Sequence, residues 1–237
     1  MKKYNTIIFD LDDTLIDNTK ACKYAFKKVL EYLNIPYRDE LFDKFLHHDN
    51  EYWLNWGKGL MKIPDYLENN IEKKRTYLRA TRFLKFFNIS NFKEGITLNS
   101  IYCDNLGIDI EEIDGAIELL DYLSTKYEIV IATNGPYKAA LDKVNSTHIK
   151  KYIKDIYCSE NIGFSKPKSA FWDYVLARIN EPRDKILLIG DSISIDIASG
   201  NINNFDTVWY NSHHETPSDK FKPTYEISNL LDLKRRL

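Results

Sequence analysis

Four short runs of uninterrupted apolar, largely β-branched residues punctuate the chain: Thr6-Ile7-Ile8-Phe9, Glu128-Ile129-Val130-Ile131-Ala132, Lys185-Ile186-Leu187-Leu188-Ile189 and Thr207-Val208-Trp209-Tyr210. Continuous rather than alternating apolarity predicts strands covered on both faces, as in a parallel sheet. Apolar residues at helical spacing precede the second run (residues 117–123) and the third (residues 171–179). This alternation predicts an α/β fold built on a doubly wound parallel sheet.

The rhythm breaks after the first run. Cys22, Phe26, Val29, Leu30 and Leu33 share one face of a predicted helix, and Pro36 follows as a stop. Residues 38–47, 51–57, 64–87 and 98–106 also read as helical, and the sheet pattern resumes near Asp114. The predicted organisation is a core of residues 1–16 and 113–237, with an all-helical insertion of residues 17–112 after the first strand. There is no internal repeat and no low-complexity segment.

Composition narrows the function classes. The chain has 237 residues, enough for a core domain carrying an insertion, and 43% hydrophobic with 29% charged residues is far from the regime of disorder. A formal net charge of −2 gives no electrostatic grip on a nucleic acid polymer. Cys22, Cys103 and Cys158 form no CxxC pair and read as free thiols of a reducing compartment. The first apolar run is too short for a signal peptide, and no stretch suits a bilayer span. The expectation is a cytoplasmic protein, monomer or homodimer, without a membrane partner.

In an open parallel sheet, ligands bind at the carboxyl ends of the strands. After Phe9 stands Asp10-Leu11-Asp12-Asp13-Thr14. After Ala132 stands Thr133-Asn134-Gly135, and after Ile189 stands Gly190-Asp191-Ser192 with Asp196 a turn further. Gly163-Phe164-Ser165-Lys166-Pro167 lies between the last two, ahead of a helix. Singly, each has an ordinary structural role: an acidic cap, a turn, a solvated lysine, an N-cap, a residue matched to a helix dipole. Together they supply what phosphoryl transfer needs. A phosphate monoester is a dianion, so an approaching aspartate requires a carboxylate-held Mg²⁺, a lysine and backbone amides to compensate the charge. Asp10 and Asp191 are the natural carboxylate ligands, and the main-chain carbonyl of Asp12 supplies a third oxygen. Asp10 is then the nucleophile, and Asp12, two residues on and so on the same side, is the acid–base group. Thr133, Asn134 and Lys166 would bind the phosphoryl oxygens, with Thr14 and Asp196 in support.

These residues fall into four motifs: Asp10-x-Asp12-x-Thr14, Thr133, Lys166 before Pro167, and Gly190-Asp191 with Asp196. The chain resembles the haloacid dehalogenase-like hydrolases, whose motifs these match across the core. The resemblance implies a Rossmann-like sheet, a Mg²⁺ ion, an aspartyl-phosphate intermediate and a helical cap over small substrates. An aspartate at position 12 implies the phosphatase and phosphomutase branches rather than the dehalogenases. The stretches 9–15, 166–168 and 207–211 resemble the pyrimidine 5′-nucleotidase-like phosphatases. Ala140, where that branch implies glutamine, and Asn204-Phe205, where it implies small residues, depart from its pattern.

The insertion is rich in aromatic residues, most of which suit a small helical core. Trp53 and Trp56 share one helical face and are candidates for stacking on a nucleobase. Arg75, Arg79 and Arg82 read as a solvated basic stripe. The expected partner is a small phosphorylated metabolite, with a nucleoside 5′-monophosphate first. A phosphosugar phosphatase or phosphomutase is the alternative, and a phosphate-binding regulatory module without turnover is a third reading.

Overall fold

The computed structural model describes residues 3–67 and 70–237. The chain divides into two compact units: residues 1–21 with 107–237, and residues 22–106.

The first unit is built on a parallel sheet of β1 (Thr6–Phe9), β2 (Glu128–Thr133), β3 (Asp155–Cys158), β4 (Ile186–Gly190), β5 (Asp206–Tyr210) and β6 (Tyr225–Ile227), in the order β3-β2-β1-β4-β5-β6. Because strand side chains alternate, each apolar run feeds two cores at once. Ile7, Phe9, Ile129, Ile131, Leu187 and Ile189 pack on one face with Leu119, Leu120 and Leu123. Ile8, Val130, Ala132, Ile186 and Leu188 pack on the other with Phe171, Trp172 and Val175. That double burial explains why these four runs are apolar without alternation. β3 and β6 have no counterpart in the sequence reading. β3 is a four-residue edge strand opening on exposed Asp155, and β6 has three residues, so neither carries a continuous apolar run.

The chain leaves and re-enters this unit through one laced crossing. Ile113 N–H donates to Leu15 O and Asp17 N–H to Glu111 O, both at 2.9 Å. The lacing explains why the division falls at 21/22 and 106/107 rather than at the expected 16/17 and 112/113.

α1 (Asn18–Tyr32) begins in the first unit and runs into the second. α2 (Asp39–Gly57), α3 (Ile71–Phe87) and α4 (Phe92–Asn105) complete the helical unit. α2 is one helix where the sequence reads as two pieces. Of the helix expected over residues 64–87, a short turn covers Asp65–Leu67 and residues 68–69 lie outside the described residues. The core here is aromatic: Phe26 stacks on Phe45 at 4.4 Å between centroids, and Phe45 on Phe83 at 5.6 Å. α3 and α4 approach closely at Gly95, where an added Cβ would stand 2.8 Å from Ala80 O. Arg82 departs from the expected solvated stripe. It is buried, pairs with Asp49 at 2.9 Å, and lies over the rings of Phe83 and Tyr102. No helix among the described residues is long and apolar enough to cross a membrane.

The remaining helices belong to the first unit: α5 (Ala116–Ser124), α6 (Tyr137–Asn145), α7 (Ser159–Ile162), α8 (Ser169–Ile179) and α9 (Ala198–Asn203), with a wide π-type turn at Ile193–Ile197.

Candidate active site

The chain starts in the middle of the sheet, builds outward to β3, then returns to place β4 on the other side of β1. The strand order therefore reverses between β1 and β4, and the crevice at their carboxyl ends is the expected ligand site of such a sheet. Phe9 is level with Ile131 on one side and Ile189 on the other. Asp10 N–H continues the ladder by donating to Ile189 O at 2.8 Å. Asp10 thus stands at the mouth of that crevice.

The distant loops converge on it. Lys166 Nζ donates to Asp10 Oδ1 and to Asp196 Oδ1, each at 2.7 Å, and Lys166 and Asp196 are both fully enclosed. Asp10, Asp191 and Asp196 each present a carboxylate oxygen within 4.8 Å of the others. Thr14 Oγ1 donates to Asp191 Oδ1 at 3.2 Å. The π-type turn after β4 brings Asp196 back beneath Ser192, whose N–H donates to Asp196 Oδ2 at 3.1 Å. Such wide turns are frequent at functional sites. Thr133, buried at the end of β2, accepts the Gly135 N–H at 3.0 Å.

One residue behaves differently from expectation. The Asn134 side chain is taken up by the backbone of Lys166: Nδ2 donates to Lys166 O at 3.1 Å and Oδ1 accepts Lys166 N–H at 2.9 Å. It clips the lysine loop to the turn after β2 instead of reaching toward a ligand. The Asp12 carboxylate is not part of the acidic cluster. Its Oδ1 accepts from Lys143 Nζ, while Oδ2 faces the turn after β2, 3.7 Å from where a Cβ on Gly135 would stand.

The electrostatics are those of an under-compensated anionic pocket. Burial pushes the Asp10 carboxyl up to about 7, with the Lys166 charge opposing and the Asp196 charge adding to the rise. Burial, then the charges of Asp10 and Asp196, push Asp191 up to about 8. Burial disfavours the Lys166 ammonium, yet Asp10 and Asp196 together hold its pKa above the usual lysine value. A single lysine charge cannot balance three clustered carboxylates. The donor set fits a hard divalent cation, which prefers oxygen ligands.

A family model for haloacid dehalogenase-like hydrolases matches residues 4–202. The chain belongs to that family. This haloacid dehalogenase-like hydrolase is 30% identical to the pyrimidine 5′-nucleotidase PynA of Streptococcus pneumoniae, over 97% of this chain and 93% of that one. It is 29% identical to YfnB of Bacillus subtilis, over 98% and 95% respectively. A crystal structure of YfnB bound to magnesium matches the fold with a TM-score of 0.88, covering 100% of this chain and 99% of that one.

Two residues of the hydrolase's site escaped the sequence reading. Trp209 Nε1 donates to Asp191 O at 2.7 Å, fixing the main chain of a cluster carboxylate. Lys143 reads in sequence as one more helix lysine. Trp53 and Trp56 lie on α2 in the helical unit. Trp53 packs edge-on to Tyr52 at 5.4 Å, and the Lys74 ammonium lies 5.4 Å from the Trp56 ring.

Proposed function

We propose that this hydrolase cleaves small phosphate monoesters through a phosphorylated Asp10, with nucleoside 5′-monophosphates as its substrate class. The observation that carries the proposal is the convergence of Asp10, Asp191 and Lys166 at the switch point, with Asp12 one strand-period beyond Asp10. In the first step the Asp10 carboxylate attacks phosphorus. The P–O bond to the alcohol breaks, and the departing oxygen takes a proton from Asp12. Asp12, now a carboxylate, takes a proton from the water that opens the acyl-phosphate, releasing inorganic phosphate and restoring Asp10. Lys166 and Thr133 hold the transferring phosphoryl oxygens. Asp10, Asp191 and the main-chain carbonyl of Asp12 would hold Mg²⁺. When bound, it offsets the charge between the nucleophile and a dianionic ester. Thr14 and Asp196 orient the cluster, and the helical unit acts as a cap that excludes bulk water, with Trp53 or Trp56 available to stack on a base.

The nucleotide preference is supported by the similarity to PynA, a pyrimidine 5′-nucleotidase. The Mg²⁺ assignment is supported by the acidic cluster and by the magnesium-bound structure of YfnB. The absence of a disulfide among Cys22, Cys103 and Cys158 supports a cytoplasmic location. The test is phosphate release from a panel of nucleoside monophosphates and sugar phosphates, with Mg²⁺ present or chelated. Release should require Mg²⁺, favour nucleotides, and vanish in Asp10→Asn. Isomerised sugar phosphate without net phosphate release would assign the site to a phosphomutase, and full activity in the pure variant would remove Asp10 from the chemistry.

A further inference from the structure

Lys143 sits where a helix of this kind normally carries an apolar residue. α6 buries Ala139, Ala140, Lys143 and Val144, a single core-facing stripe. Lys143 is 3% exposed. Its ammonium donates to Asp12 Oδ1 and, at 2.8 Å, to Asn18 Oδ1. Enclosing a lysine is costly unless it is paired, and an apolar residue of similar volume commonly stabilises a fold at least as well as a buried ion pair. Stability alone therefore gives no reason for a lysine here. Both residues lie on the segment that follows β1, so one ammonium ties α6 to that segment at two points.

The contact also determines which oxygen of Asp12 is available. Lys143 occupies Oδ1, and Oδ2 is the oxygen turned toward the Thr133–Gly135 turn. We propose that Lys143 is a positioning residue for proton transfer: anchored by Asn18, it fixes the Asp12 carboxyl group so that Oδ2 meets the leaving-group oxygen. This rests on the phosphatase reading above. It adds a residue outside the four motifs whose effect depends on how much the departing group needs a proton. An alkyl ester leaves as a strongly basic alkoxide and needs the proton during bond cleavage. A p-nitrophenyl ester leaves as a weakly basic phenolate and hardly needs it.

The test is kcat/KM, which reports phosphoryl transfer to Asp10, for p-nitrophenyl, phenyl and glycerol phosphates with Mg²⁺. Misplacing an acid–base group costs on the order of 100-fold. Lys143→Met should lose about 100-fold on glycerol phosphate and less than about fivefold on p-nitrophenyl phosphate. Asp12→Asn should show the same discrimination, and Lys143→Arg should return part of the alkyl-ester activity. A loss of equal size across the three esters, or no loss, would overturn the proposal, because a purely structural lysine has no reason to sense the leaving group. If Lys143→Met does not fold, Asn18→Ala carries the test: it loosens the ammonium without removing it and should give a smaller loss graded in the same order. A wild-type protein without Mg²⁺-dependent phosphate release would defeat the functional reading itself. An active wild type with ungraded variants would defeat only the role of Lys143.

Discussion

Gly190 ends β4, and a Cβ built there would stand 2.3 Å from Asp196 Cγ and 2.4 Å from its Oδ2. Both distances are far inside van der Waals contact, and Asp196 has nowhere to yield. It is 1% exposed, clamped by Lys166 through Oδ1 and by the Ser192 N–H through Oδ2. In Gly190→Ala the carboxylate must therefore leave one of those partners. Overpacking alone costs about 1–3 kcal/mol, and breaking one arm of a buried ion pair costs about 3–5 kcal/mol. Partial relaxation brings the expected loss to about 2–5 kcal/mol, or roughly 5–15 °C in Tm for a chain of this size. Thermal melts of the metal-free protein would measure it, together with kcat/KM, which should fall as Lys166 loses its second anchor. The cause is isolated by a double-mutant cycle with Asp196→Ala, which removes the group that the new methyl meets. The double variant should be more stable than the sum of the single losses by at least about 1 kcal/mol. Additive losses, or a Gly190→Ala protein that melts and turns over like wild type, would refute the packing account.

Other outcomes follow from the same geometry. Asp10 and Asp191, at about 7 and 8, lie above ordinary carboxylates, so between roughly pH 4 and 8 the folded chain retains protons that the unfolded chain has released. This contribution is fully present below the unfolded values and is lost as pH rises through the folded ones. The chelated protein should therefore melt at a lower temperature near pH 8.5 than near pH 6, with Mg²⁺ closing the gap. A metal-free Tm that rises across this range would contradict it. Trp209→Phe keeps an aromatic ring of smaller size and loses the donor to Asp191 O. Outer-shell losses of this kind typically weaken metal binding by about 10–100-fold, so half-maximal activity should need correspondingly more Mg²⁺. Phe45→Ala removes the ring stacked against both Phe26 and Phe83, and should cost about 3–5 kcal/mol in denaturant melts.

What the sequence disclosed tracks how strongly each feature is forced by burial. β1, β2, β4 and β5 are legible because both faces are covered, leaving no polar position to interrupt the run. β3 and β6 are short edge strands and leave no such trace. Asp10, Asp191 and Thr133 could be read from their places at strand ends, since topology alone brings strand ends to one edge, and Lys166 from its loop ahead of a helix. Side-chain direction could not be read that way. Asn134 occupies a phosphate-binding position in the sequence pattern, yet its amide bonds the Lys166 backbone. Asp196, a supporting residue in the sequence pattern, contributes to the carboxylate cluster because the π-type turn carries it back under Ser192. Lys143 and Arg82 show the converse: long cationic side chains default to solvent in any pattern reading, and only their packing reveals that each is enclosed beside an aspartate.

The central position of β1 has a consequence for how the chain assembles. Thr6 is level with Glu128 on one side and Ile186 on the other. During synthesis the first strand therefore waits, with both edges open, while the whole helical insertion emerges ahead of its earliest partner. The insertion has its own aromatic core and can condense first, whereas closing the sheet bears the slow kinetics of contacts remote in sequence. The segment bearing the nucleophile is made before either strand that pairs with it and is among the latest to be enclosed, so a nascent chain stalled short of residue 186 would hold Asp10 without the strand that completes its crevice.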